Sequence, residues 1–324
     1  MVWFKESMAE RARGCLLGQF AGDSLGSLVE FQKAGWIARG YPGGVRDLAD
    51  GGTFNNVAGQ LTDDSEMALA LARTVARLGR YDVAAVRAVY VDWMESGPFD
   101  IGGTTSAGLS GRPRQESQAN GALMRCSPLG IFGAAAGPEA AGELAAIDAA
   151  ITHPNPLCVQ ANRLYVMAIA DAIANGTEPR ALYDQVVEWA QRLDVDEALL
   201  QALQAASVTR PVADHQNQGW VLIAFQNAFW QLLHAPGLEE GVVDTVMLGG
   251  DTDTNACICG ALLGSVYGAG AVPGRWVSAL RSCRPEAGRP GVVHPRPRIY
   301  WPSDVLEVAD ALLAAGVSAK TPTL

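Results

Sequence analysis

Leu248-Gly249-Gly250-Asp251-Thr252-Asp253-Thr254-Asn255 and the apolar run behind it, Ala256 to Gly264, decide how this chain is read. Ile258, Leu262, Leu263 and Val266 recur at helical spacing, so the run is an α-helix. Asp251 and Asp253 fall where that helix begins, and acids in a first turn suit the helix dipole. Gly249-Gly250 lets the backbone approach closely just before them. Carboxylates alternating with threonine hydroxyls offer more oxygen than a helix cap needs. Mg²⁺ and Mn²⁺ prefer such hard oxygen ligands.

A second oxygen-rich run lies far upstream. Leu61-Thr62-Asp63-Asp64-Ser65-Glu66 precedes Met67, Leu71, Val75 and Leu78, again one face of a helix. Alone, it reads as a helix start, with Asp63 and Glu66 forming a capping box. Brought together, the two runs supply four aspartate carboxylates and three threonine hydroxyls. A third segment runs from Gly18 to Phe31, with Gly18, Gly22 and Gly26 at a spacing that permits close helix packing. Asp23 and Glu30 are acids in that apolar stretch, and buried acids need donors or a cation.

The helical pattern continues almost everywhere. Tyr165, Ile169 and Ala172 mark one helix; Leu200, Leu203 and Val208 mark another; Trp220, Ile223, Ala224, Asn227 and Trp230 a third. Runs of alternating β-branched residues are absent, and Gly/Pro loops punctuate the helices. The expectation is one all-α domain over residues 1–324, a compact bundle with its core at about 10–270. An irregular excursion begins at Arg284 and leads to a final helix from about Pro302 to Ala315. Half the residues are hydrophobic (49%), enough for a large core. The net charge of −10 argues against a nucleic-acid partner. Six scattered cysteines do not form a disulfide framework, and Cys257 and Cys259 read as buried small hydrophobes. A signal peptide and a membrane-spanning segment are not expected, so a cytoplasmic location is.

Four motifs in this order resemble the ADP-ribosylglycohydrolase family. They are Gly22-Asp23-Ser24-Leu25-Gly26 with Glu30, then Leu61 to Ser65, then Asn120-Gly121-Ala122-Leu123-Met124-Arg125, then Gly250 to Asn255 with Gly260-Ala261-Leu262-Leu263-Gly264. The resemblance implies an all-α fold holding two divalent cations, Mg²⁺ or Mn²⁺, in a dinuclear cleft. It implies that Thr62, Asp63, Asp64, Asp251, Asp253 and Thr254 ligate them. Glu30 and Asp100 match the family's catalytic acids, while Ser117, Asn120, Gly121 and His153 match residues that line the ADP-ribose cleft. Leu28 stands where many members carry proline, and Arg114 to Ala119 lacks the glycine-rich loop of some members. His215, His234 and His294 match nothing.

The activity so implied is hydrolysis of the N-glycosidic bond between ADP-ribose and a protein arginine, with an ADP-ribosylated protein as partner. Two other readings stand beside it. Paired aspartate runs also suit a dimetal phosphoester or anhydride hydrolase. Some family members are immunity proteins that neutralise an ADP-ribosylating toxin, by occlusion as well as by hydrolysis. For that reading Phe31 to Gly59 is a candidate partner loop, and otherwise a surface loop over the cleft.

Overall fold

The computed structural model describes residues 5–212 and 217–319. His215 falls outside them. Among the described residues the fold is all α, with three isolated β-bridges and no extended strand. The helices are α1 (Glu6–Gly26), α2 (Ala34–Gly40), α3 (Asp63–Leu78), α4 (Val83–Glu95), α5 (Gly103–Leu109), α6 (Ser127–Gly133), α7 (Pro138–Ala150) and α8 (Pro156–Asn175). They continue with α9 (Pro179–Arg192), α10 (Glu197–Ala205), α11 (Val221–His234), α12 (Leu238–Val246), α13 (Thr252–Tyr267), α14 (Gly274–Ser282) and α15 (Val305–Ser318).

The molecule is organised around α1 and α13. Every residue from Gly14 to Gly26 and from Thr252 to Ser265 is buried, so both helices are enclosed on all sides. They run antiparallel, and small residues let the backbones nearly touch. A Cβ on Gly18 would sit 2.1 Å from the Gly260 carbonyl oxygen, and one on Gly22 would sit 2.1 Å from that of Ala256. A Cβ on Gly26 would lie 2.4 Å from Asp253 Cα. The glycine spacing therefore fixes the register that brings the end of α1 to the start of α13.

Other layers close around this pair. α11 and α12 pack on α13, α8 packs on α6, α7, α1 and α13, and α15 lies across α1, α3 and α6. By length and hydropathy α8 could cross a membrane, although the sequence suggests no such segment; 78% of its apolar window is buried inside the fold, as in a core helix. All six cysteines are unpaired and buried. Cys257 Sγ meets the Met124 carbonyl and Cys259 Sγ that of Gly241, two different surroundings.

Several local expectations need correction. Glu66 is not half of a capping box: its carboxylate is buried against Arg296 and accepts from Trp93 Nε1 at 2.8 Å. The helix formed around Leu200 and Leu203 stops at Ala205, and Val208 beyond it is exposed. Trp220 precedes α11 rather than joining it. The final helix starts after a 3₁₀ turn at Pro302–Asp304 and runs past Ala315 to Ser318. Phe31 to Gly59 is not a free loop. It carries α2 and buries Ile37 and Val45 in the core. The late excursion is also anchored, since Arg296 reaches Glu66 on α3 and both the carbonyl and hydroxyl of Ser96.

Candidate active site

Past α1 the chain doubles back on the loop before α13. Phe31 N–H donates to the Gly250 carbonyl at 2.7 Å, and Gly250 N–H returns a bond to Gln32 at 2.9 Å. Gly249 has φ 75°, and a Cβ there would lie 2.5 Å from the Gln32 carbonyl, so glycine is required. This pairing places Glu30 beside the first turn of α13. One carboxylate oxygen from each of Glu30, Asp251 and Asp253 lies within 4.8 Å of the others. Thr252 Oγ1 donates to the Gly26 carbonyl at 2.7 Å, a lock between the two helices, while Thr254 N–H donates to Asp253 Oδ1 at 2.9 Å.

The first turn of α3 faces this group. Asp23, from α1, caps it in place of Asp63 and Glu66. It accepts from Thr62 N–H and Ser65 N–H at 3.2 Å and lies 2.9 Å from Thr62 Oγ1. Thr62 Oγ1 is also 3.0 Å from Asp64 Oδ2. Asp63 accepts weakly from Gly102 N–H at 3.4 Å. Asp64 Oδ1 and Glu30 Oε2 are buried with no hydrogen-bond partner. Orphaned carboxylate oxygens are rare in a packed interior.

The electrostatics agree. Burial, reinforced by neighbouring acids, pushes Asp63, Asp64 and Asp253 well above the ordinary carboxylate range. Burial and the charges of Asp100 and Asp251 push Glu30 up to about 9. Among the described ion pairs, none involves these acids; the fully buried pairs are Arg125–Asp148 and Arg296–Glu66. A nearby divalent cation would reverse such shifts by favouring the ionised forms. The all-oxygen donor set fits Mg²⁺ or Mn²⁺.

Beside the acids is a cleft of about 270 Å³, lined among others by Glu30, Asp63, Asp100, Asn120, His153 and Asp251. Asn120 Nδ2 donates to Asp251 Oδ2 at 2.7 Å, so Asn120 orients that carboxylate. Gly121 forms a close wall, since a Cβ on it would lie 2.9 Å from Thr105 Oγ1 and 3.0 Å from the His153 ring. Asp100 is half-buried on the rim, its carboxyl raised by burial. Thr254 and Asp253 also reach the lining; Thr62 and Asp64 do not, and stand behind it. Ser117 is likewise set back, its hydroxyl 2.7 Å from that of Thr104. His234 stacks on Trp230 and His294 on Phe99, outside the lining.

Arg125 is a residue whose role the sequence did not disclose. It is fully buried, pairs with Asp148 at 3.1 Å, and donates to Gly121 O at 3.1 Å and Thr152 Oγ1 at 2.9 Å. Thr152 Oγ1 is in turn 2.7 Å from His153 Nδ1. The arrangement that satisfies all three groups has the Thr152 hydroxyl donating to an unprotonated Nδ1, which leaves Nε2–H as a donor. Burial and Arg125 hold the His153 pKa down at about 3, so the ring is neutral. The available signal was Arg125 closing a motif of mostly small and apolar residues, with Asp148 set between alanine pairs in Ala145-Ala146-Ile147-Asp148-Ala149-Ala150. Phe31, Gln218 and Gly219 also line the cleft unforeseen.

Residues 5–319 match the family model of ADP-ribosylglycohydrolase. The chain is 32% identical over 284 residues to the ADP-ribosyl-[dinitrogen reductase] glycohydrolase of Rhodospirillum rubrum, covering 85% of this chain and 91% of that protein. It is 26% identical over 293 residues to the ADP-ribosylarginine hydrolase Tri1 of Pseudomonas putida, covering 85% and 75%. A solved ADP-ribosylglycohydrolase-related protein complex superposes with a TM-score of 0.78 at 25% identity, covering 96% of this chain and 100% of that one. The match extends beyond the acid-bearing motifs to nearly the whole helical architecture, and the chain belongs to the ADP-ribosylglycohydrolase family.

Proposed function

We propose that this protein hydrolyses the N-glycosidic bond joining ADP-ribose to a protein arginine. The observation that carries the reading is the convergence of Glu30, Asp251 and Asp253, with oxygens within 4.8 Å, in a chain of this family. Relatives named for ADP-ribosyl-dinitrogen reductase and for ADP-ribosylarginine support a protein substrate. Six unpaired thiols suit a reducing, cytoplasmic setting.

Thr62, Asp63, Asp64, Asp251, Asp253 and Thr254 would hold two divalent cations, Mg²⁺ or Mn²⁺. When bound, these supply Lewis-acid charge at the ribose end of the cleft. The chain's own groups do the rest. Asp23 fixes the first turn of α3 by binding Thr62 and Ser65. Asn120 holds Asp251. Glu30 Oε2, without a protein partner, is free to accept the proton of an attacking water. Asp100, on the cleft rim, stabilises positive charge developing on the ribose. His153 offers its Nε2–H to the diphosphate as a neutral donor, and Gly121 keeps the wall close enough for it to do so. Water adds to the anomeric carbon as the C–N bond breaks and its electron pair stays on nitrogen; the leaving group takes up the proton that Glu30 accepted from the water, so arginine departs as guanidinium and Glu30 returns to its starting state.

The test is ADP-ribose release from an arginine-ADP-ribosylated protein, followed by chromatography, with Mg²⁺, with Mn²⁺ and with EDTA. Cation-dependent release of free ADP-ribose is expected. Release of AMP or phosphate would instead identify a phosphoanhydride hydrolase, and release from serine but not arginine linkages would move the specificity.

A further inference from the structure

Three separate observations meet at Phe31. Its backbone has φ 64°. Gln32 N–H donates to Val29 O at 3.0 Å, so Phe31 takes the third position of a four-residue turn. A positive φ there suits glycine or asparagine, and on a bulky side chain it stores strain. The ring is 52% exposed, and Phe31 lines the acid cleft together with Glu30 and Asp251. Among the described residues the other non-glycine positions of positive φ are Asn55 and Asp194, types that tolerate this region, and neither lines the cleft. The other exposed large apolar side chains, Trp36 and Trp220 among them, also lie outside the lining.

Neither the turn nor the core accounts for a phenylalanine here. The turn would be less strained with a smaller residue, and the ring lies outside the apolar core. Among the described residues no other ring or guanidinium pairs with its face. The backbone that carries it is nonetheless fixed on both sides. Phe31 N–H donates to Gly250 O at 2.7 Å, Gly250 N–H to Gln32 O at 2.9 Å, and Thr53 Oγ1 to Glu30 O at 2.9 Å. A rigid turn thus presents an unpaired aromatic face at the mouth of the cleft, one residue from Glu30.

Its place decides which part of the substrate it meets. The glycosidic bond breaks at the acids, so the group leaving the anomeric carbon passes the mouth beside Glu30. An arginine side chain presents a planar cation there. Guanidinium groups stack on aromatic faces, and carboxylates close by add to the attraction. A serine hydroxyl offers neither plane nor charge. We infer that the Phe31 ring is the subsite for the guanidinium of the modified arginine and biases the enzyme toward arginine linkages. This inference rests on the arginine reading of the cleft and names a residue that would give the cleft that preference.

The test uses the full-length protein saturated with Mg²⁺ and two substrates, an arginine-ADP-ribosylated protein and free ADP-ribosylarginine, alongside Tm and the calorimetric Kd of ADP-ribose. Phe31→Asn relaxes the turn, so its Tm should match or exceed that of wild type. Its kcat/KM should fall about tenfold on both substrates, mainly through KM, while the Kd of ADP-ribose, which lacks the guanidinium, stays within about twofold. Phe31→Leu keeps apolar bulk without the π face and should fall as far; Phe31→Tyr should retain most of the wild-type value. A leucine variant as active as wild type would overturn the inference. So would a weakened Kd for ADP-ribose, which would put the ring against the nucleotide, or a defect confined to the modified protein, which would assign it to a protein contact. A fall in Tm that tracks the fall in kcat/KM would make the ring structural. If wild type releases no ADP-ribose from arginine, the proposed function fails. Agmatine binding in the presence of ADP-ribose, read by saturation-transfer NMR and lost in Phe31→Leu, would then still support a guanidinium subsite. Agmatine binding that is absent, or unchanged in Phe31→Leu, would end it.

Discussion

Asp251 combines three relations that make it the most exacting position in the cleft. It belongs to the acid triad, it is oriented by Asn120, and its charge raises the carboxyls of Glu30 and Asp100. Asp251→Asn keeps the shape and removes the charge. It should lower the rate by about a hundredfold or more and weaken Mn²⁺ binding in parallel, read by paramagnetic resonance or calorimetry. An unchanged Mn²⁺ affinity would remove Asp251 from the ligand set. His153 makes a separate prediction. Its pKa falls from 6.5 to about 3 on folding, so between those values the unfolded chain binds more protons than the folded one. Its contribution to stability is therefore full above pH 6.5 and drains away as the pH falls toward about 3, at about 1 kcal/mol per pH unit. The difference in unfolding free energy between wild type and His153→Gln should slope across that window. A flat difference would show that the ring is not held neutral.

Between helices, contact geometry sets the tolerances. Gly22→Ala improves intrinsic helix propensity, but its methyl carbon would lie 2.1 Å from the Ala256 carbonyl oxygen. The overlap should cost about 1–3 kcal/mol, seen as a lower Tm, and should reduce activity because the segment just past α1 and the start of α13 carry the acid triad. A raised Tm would mean that the helices do not approach as described. Arg296 acts at the same scale. It joins the late excursion to Glu66, three positions after Asp63, and to Ser96, just before Asp100. Arg296→Met strands the Glu66 carboxylate and should cost about 3–5 kcal/mol in denaturant unfolding. The Glu66→Gln/Arg296→Met double variant should recover part of that loss, and strict additivity of the two single changes would refute the pair. The acid-bearing turns were visible as helix starts from their composition. The identity of the cap was not. Asp23 lies about forty residues before the turn it caps, and Glu66 fits a local capping box until Arg296 arrives from the far end of the chain.

Across the whole molecule, cation binding and folding are linked. The clustered carboxylates repel one another, and a cation bound only by the folded state stabilises it by about 3 kcal/mol at a hundred times its Kd. Scanning calorimetry should show Tm rising with Mg²⁺ or Mn²⁺ and returning on addition of EDTA, and a Tm that ignores both would contradict a cation site. The sequence by itself determined the all-α class, the two oxygen-rich helix starts and the small-residue stripe of α1. Each is a local pattern: helical periodicity, residues gathered within one turn, glycines at intervals of four. Only the tertiary structure decided which of those oxygens face one another. It set Glu30 among the α13 acids, turned Ser117 toward Thr104 and put Asp64 behind the cleft wall. The reason is physical. Local patterns follow from backbone sterics and side-chain spacing within a few residues. The site is built where α1, α3, α13 and the Gly102–Gly121 segment meet, and that meeting is fixed by glycine contacts, buried ion pairs and packing between residues far apart in the chain.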